Sequence, residues 1–119
     1  MPAQILIIED NVDNRELMTY LLNAFGYGTL CADNGVTGID LAAKDPPDLI
    51  LCDIRLPGID GYEVARRLKQ DARLRVIPLI ATTALAMVED RERALAVGFK
   101  GILPSPLPPR PLSARWRHS

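Results

Sequence analysis

Residues 48–61 read DLILCDIRLPGIDG. Four consecutive apolar residues, Leu49 to Cys52, run without the alternation of a half-exposed strand and then meet Asp53 and a Leu56-Pro57-Gly58 turn. A strand that is apolar on both sides needs helices over both faces, as in a parallel sheet. Working outward, the rhythm repeats. QILIIE (4–9), NRELMTYLLNAFG (14–26), TLCA (29–32) and VTGIDLAAK (36–44) precede this stretch, and YEVARRLKQ (62–70), VIPLIAT (76–82), EDRERALAVG (89–98) and GIL (101–103) follow it. Five strands alternate with four helices, which predicts an α/β fold with right-handed crossovers.

Helix punctuation agrees with this spacing. Asp13 with Glu16 reads as a capping box for the first helix, Leu17, Leu21, Ala24 and Phe25 as its apolar stripe, and Gly26 as its stop. Gly98 closes the 89–97 helix in the same way.

A chain of 119 residues buries a sufficient core without disulfides or a structural metal, so one domain over 1–119 is expected. Its core spans 4–106, and 107–119 form a proline-rich, basic end. No apolar run is long enough to span a bilayer or serve as a signal sequence, which makes the cytoplasm the default compartment and argues against a membrane partner. Cys31 and Cys52 stand apart among apolar neighbours and read as buried, reduced thiols. The net charge of -1 conceals an asymmetry: residues 1–92 hold 9 basic and 15 acidic groups, whereas 93–119 hold 5 basic groups and no acids. That basic end reads as solvated and has no nucleic-acid footprint.

In an open parallel sheet, ligands gather outside the carboxyl ends of the strands. Here strand one ends in Glu9 and Asp10, strand three in Asp53, and strand four in Thr82 and Thr83. Any one of these acids alone reads as a turn former or a solvated loop. Three converging carboxylates repel one another unless a proton or cation intervenes, and an oxygen-only set points to Mg²⁺. A hard divalent ion with open positions suggests phosphoryl chemistry, for which Asp53, at the tip of the most apolar strand, is the best nucleophile.

IIEDN (7–11), LILCDIRLPGIDG (49–61) and IATTA (80–84), in this order and spacing, resemble the response-regulator receiver domain of two-component signalling, over residues 4 to about 103. GYEVARRLK and TTALAM look closest to single-domain receivers and to those of hybrid kinases. The resemblance implies a CheY-like, flavodoxin-like (βα)5 doubly wound fold with strand order 2-1-3-4-5. It further implies that Asp53 accepts a phosphoryl group from a histidine kinase or phosphotransfer protein. Asp10 and Asp53 would ligate Mg²⁺, with Glu9 acting through water and the Arg55 backbone carbonyl completing the protein ligands. Thr83 would be the switch hydroxyl, with Thr82 on the other face of the strand. The strand-four and strand-five face would signal to a downstream protein.

The chain departs from that pattern at its end. Receivers carry an aromatic residue on strand five and then a Lys-Pro pair, whose lysine binds the phosphoryl group. Aligning on GFKGIL and Pro106 puts Ile102 at the aromatic position and Ser105 at the lysine position. Lys100 falls at the wrong end of the sheet to replace that lysine, and Arg55 and Arg110 are the surrogates left open. Five of ten prolines lie between 104 and 111, so the last helix is expected to be short or irregular, starting near 109, with Leu112 and Trp116 on one face. Should it fail to form, the uncovered sheet face favours association, including a homodimer.

Two readings follow: a stand-alone phosphoacceptor, not an enzyme beyond its own phosphorylation and dephosphorylation, and a receiver-like interaction module that works without phosphorylation. An aspartate-nucleophile phosphatase wants a second acid two residues after the nucleophile, where Arg55 stands. No GxGxxG or GxxxxGK[ST] stretch is present for nucleotide binding.

Overall fold

The computed structural model describes residues 3–83 and 88–104. One parallel sheet holds β1 (Gln4–Ile8), β2 (Gly28–Ala32), β3 (Leu49–Asp53), β4 (Leu79–Thr83) and β5 (Gly101–Pro104) in the order β2-β1-β3-β4-β5. Between them run α1 (Val12–Ala24), α2 (Gly35–Lys44), α3 (Gly61–Gln70) and α4 (Val88–Val97). The chain steps from β1 outward to β2 and then back across β1 to β3. The β1/β3 boundary is therefore the switch point at which such sheets leave a crevice.

The doubly apolar strands serve two cores. Leu6, Ile8, Ile50, Cys52, Leu79 and Ala81 join Val64, Ala65 and Leu68 of α3 in the larger one. Ile5, Ile7 and Leu51 join Met18 of α1 in the smaller, with Leu22, Leu49 and Ile80 packed against it. Burying one such side chain is worth roughly 1.5–3 kcal/mol, so a single slip of register, which would exchange the two faces, is strongly disfavoured. Beside α1, the same face carries an apolar groove of about 520 Å³ lined by Leu22, Leu49, Leu51, Ile80 and Leu103. The expectations placed on Ser105, Pro106, Arg110, Leu112, Trp116 and the last helix lie outside the described residues.

Several local expectations change. The cap of α1 is Asn11, whose side chain accepts from the Asn14 N–H, so the helix starts ahead of the Asp13/Glu16 pair and Asp13 falls in its first turn. There its charge still favours the helix dipole. The buried stripe is led by Met18, whereas Phe25 at the helix end is 79% exposed. β4 begins at Leu79 and not at Val76, because residues 71–77 form successive turns held by Leu74 N–H to Asp71 and Ile77 N–H to Leu74. Cys31 is exposed on the edge strand β2, and only Cys52 is buried. Its thiol is pushed up by burial first and by the Asp53 charge second.

Asp60 caps α3, its side chain accepting from the Glu63 N–H at 2.9 Å. Asp60→Ala is expected to cost about 1 kcal/mol in urea unfolding, with Asp60→Asn recovering most of it. Equal losses in the two variants would mean that the charge matters and the cap does not.

Candidate functional site

Register builds the site. Ile7 pairs with Leu51 and Leu51 with Ile80, all facing the smaller core. One alternation further on, Glu9 follows Ile7, Asp53 follows Leu51, and Thr82 follows Ile80, with Asp53 and Thr82 register partners. The apolar row thus ends in a polar row on the same face, at the carboxyl edge beside the switch point.

Glu9, Asp10 and Asp53 bring one carboxylate oxygen each within 4.8 Å of one another. Glu9 is 1% exposed, Asp10 is exposed, and Asp53 lies between the two. Glu9 Oε2 accepts from the Asn11 N–H at 3.1 Å, and the Arg15 guanidinium donates to the Glu9 carbonyl at 2.8 Å. Asp53 Oδ1 accepts from the Arg55 N–H at 3.1 Å, while the Arg55 side chain is exposed. Pro57 and Gly58, the latter at φ +74, turn the chain after Asp53, a backbone state that glycine reaches without strain.

Burial, then the charges of Asp53 and Asp10, raise the Glu9 carboxyl from its ordinary 4.5 to about 7, against the pull of the Asn11 N–H. Asp53 is also raised, by burial above all, with the Arg55 N–H and the Glu9 hydrogen bond opposing. Burial and mutual repulsion therefore favour a proton on the cluster when no cation is bound. An oxygen-only set with this much repulsion fits a hard divalent ion, which would displace that proton.

This sets a pH dependence. Between pH 4.5 and about 7 the folded chain holds a proton that the unfolded chain has released, so Glu9's contribution is present below 4.5 and is lost as pH rises to about 7. In EDTA, stability is expected to fall by about 3 kcal/mol across that window. Urea midpoints at several pH values check it: Glu9→Gln should flatten the slope and Mg²⁺ should lift the upper end. An unchanged slope in the variant would place the proton elsewhere.

Thr83 is the last residue of β4, 2% exposed and paired with Pro104. It follows Ala81 onto the larger-core face, opposite to Thr82. Ile102 pairs with Ala81 and packs partly against the larger core. The Lys100 N–H donates to Leu79 at the amino end of β4, four residues before Thr83, so its backbone sits at the far edge of the sheet. Asn11 and Arg15 were not legible as site residues. Their signal was only that an amide-capped helix starting right after Glu9-Asp10 aims its first turn back at those acids.

The family model described as response regulator receiver domain matches residues 5–117. The polar-differentiation response regulator DivK of Brucella anthropi is 45% identical over 107 residues, 90% of this chain and 87% of that protein. The receiver domain of a sensor histidine kinase from Pseudomonas aeruginosa, solved with a magnesium ion coordinated in its active site cleft, is 33% identical with a TM-score of 0.83 over 100% of both chains. Chemotaxis protein CheY4 of Vibrio cholerae shares the fold at 24% identity and a TM-score of 0.87, over 99% of this chain and 98% of that one. Among the described residues no helix is long and apolar enough to cross a membrane. Family model, relatives and fold converge, and the chain belongs to the response regulator receiver domains of two-component signalling.

Proposed function

We propose that the chain is a phosphoacceptor receiver. Asp53 takes a phosphoryl group from a phosphohistidine on a histidine kinase or phosphotransfer protein. A bond forms from Asp53 Oδ to phosphorus as the phosphorus–nitrogen bond breaks and the imidazole leaves. The observation that carries this reading is the three-carboxylate cluster within 4.8 Å at the switch point.

Bound Mg²⁺ would supply charge neutralisation for the phosphoryl oxygens. Asp10 and Asp53 would hold it directly, Glu9 through water, and the Arg55 carbonyl would complete the set. Asn11 and Arg15 orient Glu9 through its carboxylate and its carbonyl. Thr83 is the proposed switch hydroxyl: an acyl phosphate adds charge and acceptor oxygens that draw a hydroxyl toward them. Its motion would repack the β4/β5 face that a downstream protein reads. With Ser105 and Ile102 in place of the lysine and the aromatic residue, that repacking is expected to be weaker than in receivers that have both.

The test is incubation with Mg²⁺ and phosphoramidate, followed by intact mass. One added phosphoryl group, lost when EDTA replaces Mg²⁺, is expected. No mass change would overturn the reading in favour of a receiver-like module that binds partners without phosphorylation.

A further inference from the structure

β4 ends in two threonines, and only Thr83 has been given a role. Thr82 is 0% exposed, and among the described residues its Oγ1 is a buried side-chain oxygen with no hydrogen-bond partner. A fully buried hydroxyl with nothing to bond loses its hydration without compensation, so the site needs a reason to keep it. The apolar alternative is close at hand, because valine has the same branched shape and a strong strand preference.

The orphan hydroxyl belongs to the register partner of the proposed nucleophile. Asp53 and Thr82 are register partners on adjacent parallel strands, so their side chains leave the same face of the sheet. Leu51 and Ile80, the pair one alternation earlier, both pack on the smaller core and confirm that face. The main chains are locked at the same point, the Ile54 N–H donating to the Thr82 carbonyl at 3.0 Å. Thr83, by alternation, leaves the opposite face.

We infer that the Thr82 hydroxyl is a donor held in reserve for a phosphoryl oxygen on Asp53, partly replacing the cation that Ser105 does not supply. The inference rests on Asp53 being the phosphoacceptor. In the unmodified chain the hydroxyl has no hydrogen-bond partner among the described residues. As phosphorus adds to Asp53 Oδ, new acceptor oxygens arise next to it, and a hydrogen bond to a charged acceptor is among the stronger kinds. An interaction made only when the phosphoryl group is present accelerates transfer without stabilising the resting site.

This assignment reverses the usual sign of a core substitution. Thr82→Val removes an uncompensated polar atom, so in EDTA without phosphodonor the variant should melt higher than the wild type by roughly 4 °C. Its labelling by phosphoramidate and Mg²⁺ should nevertheless be about 10-fold slower. Thr82→Ser, which keeps the hydroxyl, should label within about 3-fold of the wild type, since that spread is below one strong hydrogen bond.

Rates come from intact mass against time, melting from circular dichroism, with Asp53→Asn as the blank. If wild type and Thr82→Val label equally fast, the inference falls while the phosphoacceptor reading stands. A variant that is both slower and less stable overturns it too, since Thr82 would then serve packing. A wild type that takes no label overturns both.

Discussion

Asp53→Asn is expected to abolish phosphoryl uptake completely. The carboxamide oxygen is not a nucleophile toward phosphorus at neutral pH, and of the two remaining carboxylates Glu9 is buried and Asp10 is the one proposed to hold Mg²⁺. The loss should come without loss of fold. Asp53 ends its strand, and its charge adds to the repulsion that raises Glu9, so removing it should leave melting in EDTA unchanged or higher. Intact mass after phosphoramidate and Mg²⁺, beside a thermal melt in EDTA, reads both halves. Labelling of the variant at the wild-type rate would show the acceptor to be another residue. A melt lowered by several degrees would show Asp53 to be structural.

The second large effect is expected at Gly61, the first residue of α3. A Cβ there would stand 2.5 Å from the Asp53 carbonyl oxygen and 2.7 Å from the Ile54 Cα. Both are backbone atoms, so no side chain can swing aside, and the Gly61 N–H already holds the Ile54 carbonyl at 2.8 Å. Gly61→Ala must lift the helix start from the strand end or bend the segment that carries Asp53. Overpacking of this kind costs about 3 kcal/mol, or a melting temperature lower by roughly 10 °C. Gly101→Ala is the comparison, because a Cβ at Gly101 meets nothing within 4 Å and should change stability by less than about 0.5 kcal/mol. Phosphoramidate labelling of Gly61→Ala should also slow, since its damage falls on the backbone of Asp53, the proposed acceptor. Equal melting of the two variants would mean that the close approach is relieved at no cost.

Both effects join fold and site at one place, the carboxyl end of β3. The turn that follows it was legible as Leu56-Pro57-Gly58, and the positive φ of Gly58 agrees with that reading. The need for glycine at position 61 was not legible, because it comes from the distance between a helix start and a strand that lie eight residues apart in the chain.

Periodicity carried the strand and helix order, since a doubly covered strand must be apolar on both sides and an amphipathic helix on one. Three acids at two strand ends, Glu9 and Asp10 after strand one and Asp53 at the end of strand three, could be placed on one edge by the parallel arrangement alone. Local preference was weaker guidance at the ends of elements. Asp13 and Glu16 satisfied the capping pattern, yet Asn11 sits two residues nearer to β1 and takes the position. VIPLIAT looked like one strand, but Pro78 has no N–H for a ladder and the turns from Asp71 use up the residues before it.

By itself, then, the sequence determined the class of fold, the order of its elements and the residues that crowd the site, because all three follow from side-chain chemistry repeated at a fixed period. The tertiary structure alone decided which threonine shares a face with Asp53, which of the three carboxylates is buried and how closely position 61 approaches the end of β3. Each of these depends on register, burial or approach between segments distant in the chain, and a register shifted by one residue would have exchanged the faces without changing a letter of the sequence.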